Sequence, residues 1–339
     1  MLSDKLLQKA SMGITNLMKT NILITSAGQR VSLVKAFKTE LTKKFPDSKI
    51  ITVDLSPELS PACQVSDRYY KISRVLDGNY ISELLAICEK ENIGMIVPTI
   101  DTELKVLAEN SLLFKEKNIH LIVSDKDFVK NCRDKRELNN FFDSKSIQFP
   151  KPVDKHNPTF PLFIKPYDGS LSQDIYLIKE KSQLTDYHLN HPKFMFMEYV
   201  DPLEYKEYTV DCYYSKDNKL CCAVPRQRIS VRSGEIHKGV TDKNGIINYL
   251  KTKINTIDGA IGCITVQVFY NKQKDDVIAI EINPRFGGGY PLSYEASANY
   301  PKMLIEEYFE NKKIIYTDDW EDRLLMLRYD AEILVRNHE

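Results

Sequence analysis

The chain has 339 residues, 42% of them hydrophobic, enough to bury more than one core and to suggest roughly two or three compact units. Forty-seven basic residues balance forty-seven acidic ones, which excludes the electrostatic footprint of a protein that works by neutralising nucleic-acid phosphates. The seven cysteines are odd in number and scattered, with Cys221-Cys222 the only close pair, so neither a disulfide framework nor a Cys-x-x-Cys zinc site is indicated and reduced, cytoplasmic thiols are the simplest reading.

Residues 1–20 carry Lys5, Lys9 and Lys19 among short apolar groups, without the apolar core of a signal peptide, and read as an extension before the fold. No later stretch reaches the roughly 18 to 20 consecutive apolar residues of a membrane span, so a soluble protein with no membrane partner is expected. Asn21 to Ser26 predicts a strand, Ala27-Gly28-Gln29-Arg30 a turn, and Val31 to Phe45 an amphipathic helix. Lys49 to Asp54 gives a second strand, Tyr80 to Asn92 a helix, Ile93 to Pro98 a third strand, Asp101 to Lys117 a helix and Ile119 to Ser124 a fourth strand. Such alternation makes a parallel sheet covered on both faces, an α/β domain over residues 21–125.

A charged helix from Asp127 to Ser146 ends before Pro150 and Pro152, which mark a boundary. Strands at Leu162 to Pro166, Ile175 to Ile178 and Phe194 to Val200 predict a small antiparallel sheet with one intervening helix, a lid subdomain over 126–198. Longer strands follow at Tyr208 to Tyr214, Lys219 to Pro225, Cys263 to Tyr270 and Val277 to Ile282, with helices at Gly245 to Asn255 and Tyr300 to Phe309, forming a last unit over 199–339. Tyr329 to Val335 could add an edge strand.

The chemistry concentrates in Glu281-Ile282-Asn283-Pro284-Arg285. Side chains alternate along a strand, so Glu281 and Asn283 face one point, where a carboxylate and an amide oxygen suit magnesium completed by nucleotide phosphates. Arg285, just past the strand, could reach a transferring phosphoryl group. Gln267 is polar within an apolar strand and needs a partner, which a metal or its water could supply. The plainer alternative is a strand-ending turn with a solvated Glu281 and a hydrogen-bonded interior Gln267. Lys165, at the end of an apolar strand, is costly unless it meets an anion, and Gly169, Ser170 and Ser172 could turn backbone N–H groups to phosphate. A lysine and proline turn is also common on surfaces, and no Walker A loop is present. Lys135 offers a second cation or a solvated helical face. Glu198-Tyr199-Val200 ends one strand and Glu207 opens another, where a strand edge and a carboxylate could take adenine and ribose. The six histidines and seven cysteines show no nucleophilic spacing, and His237 reads as a solvated loop residue.

Taken in order, Lys135, Lys165, Glu198, Glu207, Gln267, Glu281, Asn283 and Arg285 resemble the nucleotide and metal residues of the ATP-grasp ligases. The strand, turn and helix of Ile22 to Lys35 and Ile96-Val97-Pro98-Thr99-Ile100-Asp101-Thr102-Glu103-Leu104 are similar to the carbamoyl-phosphate-synthase-like and carboxylate–amine ligase branches. The resemblance implies a parallel α/β (pre-ATP-grasp) domain followed by a two-lobed α+β ATP-grasp fold. It also implies an ADP-forming ligase that activates a carboxylate with Mg-ATP as an acyl phosphate and couples it to an amine. ATP and cations of the Mg2+ or Mn2+ type, two in number, would be the cofactors, and small molecules the partners, with a homodimer as family habit. Lys135, Lys165 and the loop Gly169 to Ser172 would hold phosphates, Glu198, Tyr199 and Val200 adenine, and Glu207 (or Glu204) ribose. Gln267, Glu281 and Asn283 would be metal ligands, with Arg285 and Arg228 catalytic and Arg226, Arg232, Gly288 and Gly289 near the acceptor.

Leu171 and Asp174 depart from the small residues of many phosphate loops, and Gly287-Gly288-Gly289 fits either close approach to a substrate or a simple turn. Carbamoyl phosphate synthase itself, with two synthetase halves, and biotin carboxylase are both disfavoured. A nucleotide-binding regulatory module is the main alternative; a dinucleotide oxidoreductase lacks its Gly-x-Gly-x-x-Gly fingerprint.

Overall fold

The structure, a computed structural model, describes residues 19–169, 173–232 and 234–336. Most of the expected N-terminal extension, and Ser170, Leu171 and Ser172 of the expected phosphate loop, lie outside the described residues.

Strand β1 (Asn21–Ile24) is apolar and buried at Ile22, Leu23 and Ile24, as a strand covered on both faces must be. Helix α1 (Val31–Lys44) buries Leu33, Val34, Phe37 and Leu41 at helical spacing and ends on Lys43 and Lys44, which favour the negative end of the helix dipole. There follow β2 (Ile50–Asp54), α2 (Pro61–Val65), β3 (Arg68–Lys71), α3 (Tyr80–Lys90), β4 (Ile93–Val97), α4 (Asp101–Glu109), α5 (Ser111–Glu116) and β5 (His120–Leu121). The strands pair in parallel in the order β3-β2-β1-β4-β5. The order reverses between β1 and β4, so the turns leaving these two strands flank a crevice at the carboxyl edge of the sheet.

Helices α6 (Lys126–Arg133) and α7 (Lys135–Ser144) lead to a small antiparallel sheet ordered β7-β6-β8, built from β6 (Leu162–Pro166), β7 (Tyr176–Ile178) and β8 (Phe194–Glu198), with α8 (Asp186–Asn190) before its last strand. The third sheet has the order β13-β12-β9-β10-β11-β14 and uses β9 (Lys206–Tyr214), β10 (Leu220–Arg232), β11 (Glu235–Thr241), β12 (Gly262–Asn271), β13 (Asp276–Asn283) and β14 (Leu325–Leu327). Helix α9 (Gly245–Ile254) packs on it, and α10 (Tyr290–Glu295) and α11 (Tyr300–Tyr308) follow β13. A parallel α/β sheet followed by two antiparallel lobes is the architecture expected from the sequence.

One core runs between the first and third sheets. Leu33, Val34, Phe37 and Leu41 of α1 share it with Phe286, Tyr290, Tyr300 and Leu304, and the Phe37 and Phe286 rings meet edge to face at 5.7 Å.

Five local expectations change. The helix predicted over Asp101 to Lys117 divides at Asn110, and the one over Asp127 to Ser146 divides at Asp134, which is extended and caps the second helix by accepting from the Arg136 N–H. Strand β10 continues past Pro225 to Arg232 because β9 and β11 pair with it on either side. The segment around His237 is therefore strand β11 rather than a loop. Tyr329 to Val335 is not a strand; the edge is β14, which pairs with Lys238, Gly239 and Val240.

Candidate active site

The antiparallel register of β12 and β13 sets Gln267 directly opposite Glu281. Gln267 Nε2 donates to Glu281 Oε1 at 2.6 Å and Asn283 Nδ2 donates to the same oxygen at 2.9 Å, so strand alternation and pairing bring three polar side chains to one point. Lys135, the first residue of α7, places Nζ 3.8 Å from the other oxygen of Glu281 and donates to Gly169 O at 2.7 Å. Lys165 on β6 completes the group. Burial, then the neighbouring Lys135 charge, push its ammonium down to about 8, against the pull of Glu281. Residues from α7, β6, β12 and β13 thus meet around one carboxylate.

Glu207 lies close enough to this group to feel the Glu281 charge. Its Oε1 is 2.9 Å from Arg228 Nε, an ion-pair distance without hydrogen-bond alignment, and burial together with Glu281 pushes its carboxyl up against the opposing Arg228 charge. The carboxylate expected to take ribose is thus turned towards Arg228. Arg228 also donates to Thr209 Oγ1 at 3.3 Å and Gly234 O at 3.1 Å, which keeps it near Glu207.

The segment Glu198, Tyr199 and Val200 forms one wall of a cavity of about 730 Å³, with Phe149, Asp201 and Ile278 among its other lining residues. Glu198 is tied to the interdomain linker by accepting from the Lys151 N–H at 2.9 Å. Glu204 also lines this cavity and pairs with Lys274 at 2.7 Å.

Arg285 is held across the interface of the first and third sheets. Its Nε and Nη2 donate to the two carboxylate oxygens of Asp101 at 2.9 and 2.5 Å, while Nη1 donates to Phe286 O at 3.1 Å. Burial lowers the guanidinium's proton affinity, but Asp101 outweighs it and the net shift is upward. Asp101 opens α4 inside the Pro-Thr-Ile-Asp stretch, and no local pattern marks it as a partner for a residue 184 positions away.

The two arginines expected near the acceptor have different settings. Arg226 is 1% exposed and makes a two-pronged pair with the equally buried Asp211, Nε to Oδ2 at 2.7 Å and Nη2 to Oδ1 at 2.9 Å, so it is a core residue. Arg232 is exposed at the far end of β10 and pairs with Asp330. Gly289 explains what Arg226 does there: a Cβ at that glycine would come within 2.2 Å of Arg226 Nη1. Gly288 is covered in the same way by Glu235, 1.8 Å from an added Cβ. The glycine turn is therefore bare because charged side chains pack against its backbone. Sequence reading passed over Asp101, Arg30, Glu235 and Arg328, whose common location depends on pairing between distant segments.

Among the described residues no group of three or more His, Cys, Asp or Glu could hold a metal by itself, and no helix is long and apolar enough to cross a membrane. Residues 22–122 match the family described as "PylC-like, N-terminal domain", and residues 190–326 the family described as "ATP-grasp in the biosynthetic pathway with Ter operon". No curated protein matches the sequence. The structure is similar to N5-carboxyaminoimidazole synthetase from Staphylococcus aureus complexed with ADP, at 16% identity over 84% of this chain and 76% of that one, with a TM-score of 0.64. L-amino acid ligase from Bacillus licheniformis gives 13% identity, 86% and 74% coverage and a TM-score of 0.64. Rhizobium etli pyruvate carboxylase gives 11% identity and a TM-score of 0.67 over 89% of this chain, which spans only 30% of that longer protein. At these identities the likeness is one of fold.

Proposed function

We propose, from the match of residues 190–326 to an ATP-grasp family, that the protein is an ATP-dependent ligase that activates a carboxylate as an acyl phosphate and couples it to an amine. The observation that carries this reading is the meeting of Gln267, Glu281 and Asn283 with Lys135 and Lys165. One carboxylate and two amides are too few to cage a metal, but they fit magnesium that takes its remaining oxygens from nucleotide phosphates and water. Magnesium held there, as one ion or two, would neutralise charge building on the transferred phosphoryl group.

The chain's own residues divide the remaining work. Lys135 and Lys165 present ammonium groups to the phosphates, with Lys165 placed by its strand and Lys135 by the start of α7. Arg228, paired with Glu207, would supply a further cation. Glu198, Tyr199 and Val200 offer adenine a strand end beside a cavity large enough for a nucleotide. Arg285, fixed by Asp101, would steady the phosphoryl group as it passes to the acid. A carboxylate oxygen bonds to the γ-phosphorus as the bond to ADP breaks, and ADP leaves with the electron pair. The amine nitrogen then attacks the acyl carbon and phosphate departs. Such chemistry relies on positioning and charge neutralisation rather than on a protein nucleophile.

Hydroxylamine tests the reading because it intercepts an acyl phosphate as a hydroxamate whatever the natural amine is. With Mg-ATP and a panel of carboxylates, the protein should release ADP and form hydroxamate, and Glu281→Gln should abolish both. Mg-ATP binding without turnover on any carboxylate would leave a regulatory nucleotide-binding module instead.

A further inference from the structure

Resting on the ligase reading, we propose that the activated substrate is a small, singly charged carboxylic acid that sits between the turn Ser26 to Arg30 and the glycine turn Gly287 to Gly289, its anion held by Arg30 and Arg328. A separate cavity of about 260 Å³ occupies this position. Its first wall comes from the turn after β1 and from Ile100 after β4, the two strands between which the parallel sheet reverses its order. A crevice at that point is where open α/β sheets take ligands. The second wall is Gly288, Tyr290 and Arg328. It continues directly from Arg285, so an acid seated here lies next to the reacting end of the site.

The charges favour an anion. Arg30 Nη1 lies 3.4 Å from Glu235 Oε1, and Arg328 Nη1 lies 3.2 Å from Glu235 Oε2. Two guanidiniums therefore share one carboxylate, while Arg285 is already matched by Asp101. Among the residues lining the cavity one positive charge is left over; Asp54 and Glu103, which accept from the Gly28 N–H and from Ser26, do not line it. Burial pulls Arg30 down, Glu235 pulls it up, and Arg285 and Arg328 lower it again, so the cation is crowded and an anion would relieve it. Helix α1 adds its positive end, with no side-chain cap and no acidic residue in its first turn.

Size and polarity narrow the class. The cavity falls below the roughly 300–1,000 Å³ of sites for larger ligands. Leu33, Ile100, Tyr290 and Pro291 supply an apolar part for a short body. A phosphate monoester, at about −1.5 to −2, carries more charge than the surplus balances. Glu235 acts as a spacer: it rests on the bare backbone of Gly288 and holds the two arginines on either side. The opposite wall is fixed as well, since Ser26 adopts a left-handed φ of 49° and donates to the buried Glu103 at 3.0 Å.

The test uses acetate, propionate, butyrate and the neutral α-amino acids as probes, each with Mg-ATP and hydroxylamine. At least one should give hydroxamate. Arg30→Gln and Arg328→Gln should then each raise the KM for that acid about ten- to hundredfold, the loss of one charge-assisted contact, with the Kd for Mg-ATP unchanged. Arg30→Lys should recover part of the loss. KM values unchanged from the unaltered protein in both glutamine variants, or hydroxamate only from dicarboxylic, tricarboxylic or phosphorylated acids, would overturn the assignment. So would an unaltered protein that binds Mg-ATP yet turns over none of the probes. Failure of the unaltered protein to bind Mg-ATP at all sinks the ligase reading first, and this one with it.

Discussion

Replacing Asp101 by asparagine removes the charge that holds Arg285 while keeping nearly the same shape. The pair is two-pronged at 2.9 and 2.5 Å, with side chains 16% and 21% exposed. Breaking a fully buried pair at one partner costs about 3–5 kcal/mol, whereas an exposed pair contributes about 0–1 kcal/mol. A pair four-fifths buried should fall between, at about 1–3 kcal/mol, because asparagine still accepts one hydrogen bond. If that energy goes into keeping Arg285 in place for the phosphoryl group, Asp101→Asn should lower kcat/KM for hydroxamate formation about ten- to hundredfold. Arg285→Gln should lower it further, and the double variant should be no worse than Arg285→Gln alone, since Asp101 acts only through the arginine. Kinetics of the four proteins with one carboxylate decide the matter. Losses that simply add would refute the positioning role and leave a pair that does no more than join two parts of the fold.

Lys165 should give opposite pH responses in two measurements. Its folded pKa of about 8 lies below the ordinary 10.5, so between those values the unfolded chain binds more protons than the folded one and apoprotein stability should rise with pH. Over the same window the folded ammonium loses its charge, so Mg-ATP binding should weaken; Lys165→Met should flatten both trends in melting and titration experiments. Gly289→Ala drives a methyl to within 2.2 Å of Arg226 Nη1 and should destabilise the protein by about 1–3 kcal/mol, read as a lowered Tm. Asp211→Asn leaves Arg226 buried beside a neutral partner and should cost about 3–5 kcal/mol; an unchanged melting curve would contradict the core role of that pair. Arg232→Ala, by contrast, removes only an exposed pair with Asp330 and should leave turnover and Tm unaltered.

The parts of the molecule legible in the sequence are those governed by short-range periodicity. Alternation along β13 put Glu281 and Asn283 on one face, and the apolar run of β12 made Gln267 conspicuous as a polar intruder. The strand and helix order of the first sheet was readable because buried parallel strands are nearly continuous apolar runs. What escaped depended on partners far away in the chain. Arg226 looks like a surface arginine until Asp211 on the adjoining strand is set beside it, two residues that only the pairing of β9 with β10 brings together. That Glu207 is paired with Arg228 likewise depends on the neighbouring strand. Asp134 breaks a helix that charge and periodicity would continue, because its carboxylate prefers to cap the next one.

The apolar seam along α1 limits how this protein could be taken apart or recombined. Phe37 and its neighbours have no separate hydrophobic interior to return to; they complete the one that also contains Phe286 and Tyr300. Cutting the chain after β5 would leave both pieces with raw, water-exposed faces. Exchanging the first unit for that of another protein would require the two sides of the seam to be recut together. Since the same unit carries Arg30 and Asp101, a graft that misfits by a single ring would disturb the pocket and the arginine beside it at once. Changes in what the protein accepts are therefore easier to make by point substitution around the crevice than by swapping modules.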